Sequence, residues 1–273
     1  MIKIYTRTKF LIFLGLSIYL SVNEIWSQST VVFKDYMQLA DNYKKNQEPD
    51  SAIIYYKKAA LGFESLHDIE KLINANNQIA VVLTRQDKYE EAKSFLMQAL
   101  SLGLSSLDSN NLLIANTYIS LGVIYRAEED YTQSLIYHYK ALAIRLFKLG
   151  ENSVEVATSF GNIGNVYLSI KDFEKSIEAH SMAMKIREKL FGEKSVEIIE
   201  SYSGLGNAFR ENRNFESSLE YFEKALNNKI LQRGLGHKDL KKYYKNLSEV
   251  YYLKGDKLQG DAFSAKSEES LKP

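Results

Sequence analysis

The feature that most constrains this chain is an internal repeat with a period of 42 residues. Four segments share one pattern: residues 118–125, 160–167, 202–209 and 244–251. In each segment the first and last residues are aromatic, the fourth is aliphatic and the fifth is small. A period of this length indicates an array of stacked units. The small position extends backwards to give six units: Ala40, Ala80, Gly122, Gly164, Gly206 and Ser248.

A second pattern lies downstream of the first in each unit. A small residue follows an aromatic residue by three positions, and an alanine comes seven positions later, as in Ala92 and Ala99 or Ser134 and Ala141. Spacings of three, four and seven place residues on one face of a helix. Each unit is therefore predicted to be two helices joined by a tight turn. Glycine inside a helix costs about 1 kcal/mol relative to alanine, so the glycines of the first pattern indicate close contact between helices.

These patterns resemble the tetratricopeptide repeat family, and the 42-residue period resembles its kinesin-light-chain variety. The linkers at residues 149–157 and 191–196 are similar to that variety's linker, although its proline is missing and its histidine is kept only at His237. The resemblance implies an all-α, right-handed superhelical solenoid of about six helix-turn-helix repeats over residues 28–273. It also implies a role in binding. The polar last unit is expected to be a terminal cap or a decayed final repeat.

Residues 1–27 are predicted to be a signal peptide. Lys3, Arg7 and Lys9 form a basic start, an uncharged stretch covers residues 10–22, and Ser27 is a small residue at a possible cleavage position. The uncharged stretch is shorter than the roughly 20 residues of a membrane-spanning helix. We therefore expect an exported, bacterial-type protein, periplasmic or secreted, with no membrane span after cleavage. The alternative is an uncleaved N-terminal anchor.

Several kinds of chemistry are disfavoured by the sequence. The chain has no cysteine, which excludes disulfides, thiolate metal sites and acylation at cysteine. It contains no nucleophile elbow, phosphate-binding loop or zinc-protease motif, so we expect no catalytic residue and no enzyme activity. A net charge of +1 gives no bulk attraction to nucleic acid. The expected partner is a protein or peptide, with no cofactor and no small-molecule substrate.

Two histidines are candidate metal ligands. His138 and His180 lie 42 residues apart at equivalent positions of the second helices and could approach each other. Neither has a second ligand three or four residues away. We interpret both as packed rings, each with one hydrogen-bonded nitrogen, and predict no metal site.

The resemblance implies that a partner binds a concave face lined by first-helix residues beside the small position. An asparagine there offers a donor and an acceptor to a peptide unit, and an arginine can bind a carboxylate with two hydrogen bonds. Members of the family that bind a C-terminal carboxylate keep lysines within reach of such asparagines, and at these positions this chain has a lysine only at Lys245. The resemblance therefore does not favour recognition of a free C-terminus. The candidate binding residues are Asn162, Asn165, Asn207, Asn246, Arg126, Arg210 and Tyr252.

Two interpretations of the asparagines stay open at this point. They either face an open groove and bind a partner, or form hydrogen bonds between units and fix the stack. The sequence favours a non-catalytic scaffold that binds a peptide or protein segment in its groove. The alternative is a sensory or regulatory subunit that acts with a separate signalling or protease-like protein.

Overall fold

The computed structural model describes residues 31–235 and 237–269, and this part of the chain is helical with no strand. The predicted signal peptide, residues 1–27, lies outside the described residues. None of the described helices is long and apolar enough to cross a membrane. The helices are α1 (described over residues 31–45), α2 (Pro49–Ser65), α3 (Ile69–Thr84), α4 (Tyr89–Ser106), α5 (Leu112–Ala127), α6 (Tyr131–Leu149), α7 (Val154–Ser169), α8 (Phe173–Phe191), α9 (Ile199–Glu211), α10 (Phe215–Arg233), α11 (Lys241–Lys254) and α12 (Lys257–Glu269), with a 3-10 turn at Lys238–Leu240.

The chain divides into two compact units, with the boundary between Ser120 and Leu121. In the first compact unit, α3 packs against both α2 and α4. In the second unit, the pairs α7 with α8, α9 with α10 and α11 with α12 pack together, and each second helix also packs against the next first helix. The predicted all-helical fold of consecutive packed helix pairs is confirmed within the described residues.

Backbone geometry and a side-chain cap define the short turn between α7 and α8. The turn inside a pair contains one residue with positive φ, such as Lys171 at 63°. The next residue, Asp172, accepts a hydrogen bond from the backbone N–H of Lys175 and caps α8. Between pairs, Gly192 has φ 83° and ψ 161°. That region is open essentially only to glycine, which explains the glycine of the linker pattern.

The small positions lie where the two helices of one repeat cross. In three units a serine on the second helix donates through Oγ to the carbonyl of the glycine on the first helix. The distances are 2.7 Å for Ser134 to Gly122, 2.9 Å for Ser176 to Gly164, and 2.8 Å for Ser218 to Gly206. The small column therefore marks close helix contact, as the sequence predicted.

An aromatic or imidazole ring covers each of these glycines. A methyl group added at Gly164 would lie 2.8 Å from the ring of His180, and one added at Gly206 would lie 2.6 Å from the ring of Phe222. Real Cβ atoms essentially never approach so closely. The glycines are required because the rings occupy the space of a side chain.

Candidate functional site

In the second compact unit, which begins at Leu121, a cavity of about 360 Å³ contains three of the predicted binding residues. Asn162 and Asn165 reach it from α7, and Asn207 reaches it from α9. Asn162 and Asn165 are three residues apart, which places them on one helical face. Asn207 holds the position equivalent to Asn165 in the next unit. The repeat thus aligns these amides along one surface.

The three asparagine side chains are unpaired within the described part of the chain. Asn165 is exposed, Asn162 and Asn207 are partly buried, and none of the three amides has a hydrogen-bond partner among the described residues. The described residues therefore show no hydrogen bond that would support the interpretation in which these amides bond between repeats. Each amide can still donate and accept.

The other predicted binding residues lie outside this cavity. Arg210 donates to Glu249 at 2.8 Å and to its neighbour Glu211 at 3.1 Å. The Tyr252 hydroxyl donates to Asp261 at 2.7 Å, and its ring covers Gly260. Arg210 and Tyr252 are thus engaged in contacts within the repeats. The last two predicted residues are Asn246, partly buried on α11, and Arg126, near the end of α5.

Sequence reasoning missed a buried arginine in the cavity wall. Arg187 on α8 donates to Ser201 Oγ at 2.6 Å and to Thr158 Oγ1 at 3.3 Å. Its only ion-pair partner among the described residues is Glu200, at 3.7 Å; the arginine side chain is 7% exposed and the glutamate side chain 86%. Burial lowers the pKa of Arg187. The guanidinium is therefore a buried cation whose ion-pair partner is exposed to solvent.

A signal for this arginine was present in the repeat. Arg145 is its equivalent in the preceding unit, and it donates to Ser159 Oγ at 2.9 Å as Arg187 does to Ser201. An arginine that recurs with a serine 14 residues later indicates a packing position that is repeated in the array. Charge alone is a poor guide to such a position, because arginine is almost never fully buried unless it is paired.

The two histidines correct one expectation. His138 is buried with both ring nitrogens lacking a hydrogen-bond partner, and Nε2 of His180 also lacks one, so the prediction of one bonded nitrogen is wrong for His138. Burial and the charges of Arg126 and Arg145 lower the pKa of His138 to about 4. Burial and then Arg187 lower the pKa of His180 to about 4. Both rings are neutral at pH 7.

Sequence comparison decides the family. A sequence model described as a tetratricopeptide repeat matches residues 71–146, 113–189 and 155–230, and a second matches residues 36–60. Together these matches cover more than half of the chain. The chain belongs to the tetratricopeptide repeat family. Proteins of this family generally mediate protein–protein interactions. A search among curated proteins found no match.

Solved structures similar to this tetratricopeptide repeat protein share its fold at low sequence identity. BtubC (BKLC) from P. vanneervenii has a TM-score of 0.67 and 18% identity, over 87% of this chain and 90% of that one. A putative kinesin light chain with nearly identical TPR-like repeats from Podosopora anserina has a TM-score of 0.61 and 15% identity, over 74% and 97%. Aspartyl phosphate phosphatase F from Bacillus subtilis has 0.64 and 15%, over 89% and 61%. The neighbours thus include kinesin-light-chain-like repeats.

Proposed function

We propose that this tetratricopeptide repeat protein is a non-catalytic scaffold that binds an extended segment of a protein partner along its first helices. The observation that carries the proposal is the row of unpaired amides of Asn162, Asn165 and Asn207 in one cavity. On the basis of the predicted signal peptide, we further propose that this activity lies outside the cytoplasm, in the periplasm or beyond it.

The chemistry of the row suits a peptide backbone. An extended segment carries free N–H and C=O groups, and an asparagine amide can satisfy one of each. Each hydrogen bond of this kind contributes about 0.5–1.5 kcal/mol net. Amides repeated on successive units offer the partner a ladder of contacts in which no single residue dominates.

The test separates binding from stability. The double variant Asn165→Ala with Asn207→Ala is compared with the wild type in urea unfolding and in capture of partners from envelope fractions. We expect the unfolding free energy to change by less than about 1 kcal/mol, because the amides bond to none of the residues that the structure describes. Capture of the wild type's specific partner should weaken clearly.

A matched control removes two asparagines elsewhere. Asn46 and Asn227 are exposed, and their replacement by alanine should leave both stability and capture unchanged. A large loss of stability in the Asn165 and Asn207 variant would assign those amides to the fold. Undiminished capture by that variant would place the binding surface elsewhere.

The alternative function, a sensory or regulatory subunit, uses the same surface. It differs in the identity of the partner, which would be a separate signalling or protease-like protein. Mass spectrometry of the captured protein distinguishes the two.

A further inference from the structure

The second helix of each repeat carries an aromatic residue at one fixed position, with a single exception. The position lies 15 residues after the small residue of the first helix. In the fourth repeat, whose small residue is Gly164, this position is Ala179. In the other five repeats it is aromatic: Tyr55, Phe95, Tyr137, Tyr221 and Phe263.

In four repeats this ring stacks on a ring of the first helix. The centroids lie 5.3–5.6 Å apart and the planes are within 13° of parallel in the pairs Tyr43–Tyr55, Tyr125–Tyr137, Phe209–Tyr221 and Tyr251–Phe263. A lysine three residues later places its Nζ 4.7–5.5 Å from the centroid of each second-helix ring: Lys58, Lys140, Lys224 and Lys266. Two stacked rings and a lysine thus form a set that recurs in the array.

The fourth repeat keeps the first ring of this set and lacks the other two groups. Tyr167 is the first-helix ring, whereas Ala179 and Met182 replace the second ring and the lysine. A cavity of about 130 Å³ lies beside these three residues. Its walls are Tyr139, Phe160, Ile163, Tyr167, Lys175, Glu178, Ala179 and Met182.

The size and the walls of this cavity suit an aromatic ring. Apolar cavities of about 150 Å³ bind benzene, and the ring of Tyr167 offers a stacking partner. The side chain of Met182 is 41% exposed, and a thioether makes favourable contacts with rings. A cation is already present, because Nζ of Lys175 lies 5.3 Å from the centroid of Tyr167. An uncharged ring is therefore the group that the set lacks.

We propose that the cavity beside Ala179 binds a phenylalanine or tyrosine side chain of a partner protein, and that the bound ring completes the stack on Tyr167. The walls come from α6, α7 and α8. They share no residue with the cavity of the asparagine row. The site is thus a second interaction surface, and it does not rest on the proposed function.

The charges next to the cavity restrict the partner. A neighbouring cavity of about 340 Å³ shares Phe160 and Met182 with the first. Its charged residues are Lys185, Lys189 and Glu151. Both lysines are exposed and form no ion pair with the described residues. The residues that flank the partner's ring are therefore neutral or acidic, because basic ones would be repelled.

The same charges disfavour a second copy of this chain as the partner. The most exposed aromatic side chain among the described residues is Phe147, at 71%. Lys148 follows it directly, so insertion of Phe147 would bring a lysine towards Lys185 and Lys189. Like charges across an interface suppress such pairing.

The first experiment tests the cavity with p-cresol, which has the ring of a tyrosine side chain. It is titrated into the purified protein and followed by NMR of methionine methyl groups. We expect saturable binding in which the methyl signal of Met182 moves upfield, because it enters the shielding region of a ring, while that of Met97 on α4 does not move. The cyclohexane analogue 4-methylcyclohexanol should bind severalfold more weakly, since it cannot stack.

Other results of this titration contradict the proposal. No saturable shift of Met182, or equal binding of 4-methylcyclohexanol, would overturn the stacking site. Tighter binding of tetramethylammonium than of p-cresol would show that the aromatic walls hold a cation instead.

A substitution that restores the ring tests the geometry. Ala179→Phe should abolish the binding of p-cresol and raise the urea midpoint of unfolding, because the new ring fills the cavity as in the other repeats. Ala183→Phe is the control: Ala183 is buried, and its position is alanine or serine in every repeat, so overpacking should lower the midpoint. An equal fall in both variants would overturn the space for a ring. The titration of the wild type decides the matter if Ala179→Phe does not fold.

The second experiment tests the source of the ring. A displayed library of random internal peptides is selected on the wild type and on Ala179→Phe. We expect the wild type to select peptides with a phenylalanine or tyrosine and few basic residues beside it, and the variant not to recover them. Selection of the same peptides by both proteins would overturn the docking of a partner's ring. So would dimers in analytical ultracentrifugation that Ala179→Phe abolishes, because they would assign the cavity to a second copy.

The asparagine variant separates this site from the proposed function. Asn165→Ala with Asn207→Ala should bind p-cresol as tightly as the wild type and select the same aromatic peptides. Loss of p-cresol binding in that variant would contradict two separate surfaces. Failure of the asparagine variant to weaken partner capture removes the proposed function and leaves the aromatic site in place.

Discussion

At two helix crossings, a histidine ring occupies the position that an aromatic ring holds in a later repeat. His138 and His180 occupy the column that Phe222 holds in a later unit, and each ring lies against a glycine of its own unit. His180 also lies against Gly204 of the next unit, where an added methyl group would be 2.4 Å from Nδ1. An imidazole held there in its neutral form fills space well but makes the fold sensitive to acid.

The acid sensitivity is a testable consequence. The pKa of each histidine falls from 6.5 to about 4 on folding, so the unfolded chain binds more protons as the pH drops. The unfolding free energy should therefore decrease from about pH 6.5 down to about pH 4, by up to about 3 kcal/mol for each histidine. Urea denaturation between pH 7 and pH 4.5 measures this loss.

A substitution within the repeat isolates the cause. The double variant His138→Phe with His180→Phe copies Phe222 and cannot take up a proton, so its stability should depend much less on pH over the same range. His67→Gln is the control, since His67 is exposed in the turn after α2. A variant as acid-sensitive as the wild type would show that other groups cause the loss.

A pair of glycines on α7 tests the close contact at the crossing. Gly164→Ala should destabilise the protein by about 1–3 kcal/mol, because the methyl group would overlap His180 at 2.8 Å. Gly161→Ala, on the same helix, meets nothing within 4 Å and should be neutral or stabilising by up to about 1 kcal/mol. Thermal and urea unfolding of both variants provide the comparison, and equal effects would contradict the role of the ring.

Residue-level features were the least predictable from sequence. The position of Asn165 followed from the repeat, because its column is fixed by Gly164 beside it. The burial of Arg187 did not follow, because it depends on two hydroxyls from different helices, Thr158 and Ser201. Sequence periodicity identifies which face a residue occupies, whereas the partners of a buried charge come from tertiary structure.

At the scale of the helix pair, a serine hydroxyl joins the two helices at each of the later crossings. In the last unit the roles are exchanged, since Ser248 on α11 donates to the carbonyl of Gly260 on α12 at 2.8 Å. In the sequence, Gly260 stands where Ser134, Ser176 and Ser218 stand in the earlier repeats. The structure shows that the same small pair and the same bond are kept with donor and acceptor helices reversed.

The bond should make a modest contribution to stability. Ser176→Ala removes the donor to Gly164 and leaves a methyl group of the size found at Ala92 in the equivalent position. We expect a loss of about 0.5–1.5 kcal/mol in urea unfolding. Ser181→Ala, on the same helix and without a bond among the described residues, should change stability by less than about 0.5 kcal/mol. Equal values for the two variants would mean that the hydroxyl contributes nothing.

For the whole molecule, the fold was predictable because each unit repeats one set of contacts. The column of small residues and the positive-φ turn recur in each repeat, and the linker glycine recurs at Gly150, Gly192 and Gly234, so a single pattern specified successive helix pairs. Neighbouring pairs bury shared surfaces: α8 packs against α9 as well as α7. Stability in such an array is a sum of unit and neighbour terms.

An in-register deletion tests that additivity. Removal of residues 157–198 joins Val156 to Ile199 and brings Ser201 to the position of Ser159, so Arg145 keeps a hydroxyl acceptor. We expect a shorter folded protein with unchanged mean residue ellipticity and cooperative unfolding. Removal of residues 157–196 is the control: the join is two residues out of register, which turns the apolar face by about 200°, and that product should fail to fold. If the in-register product were unfolded as well, the stability of each repeat would depend on more than its immediate neighbours. That result would contradict a stability that is the sum of repeat and neighbour terms.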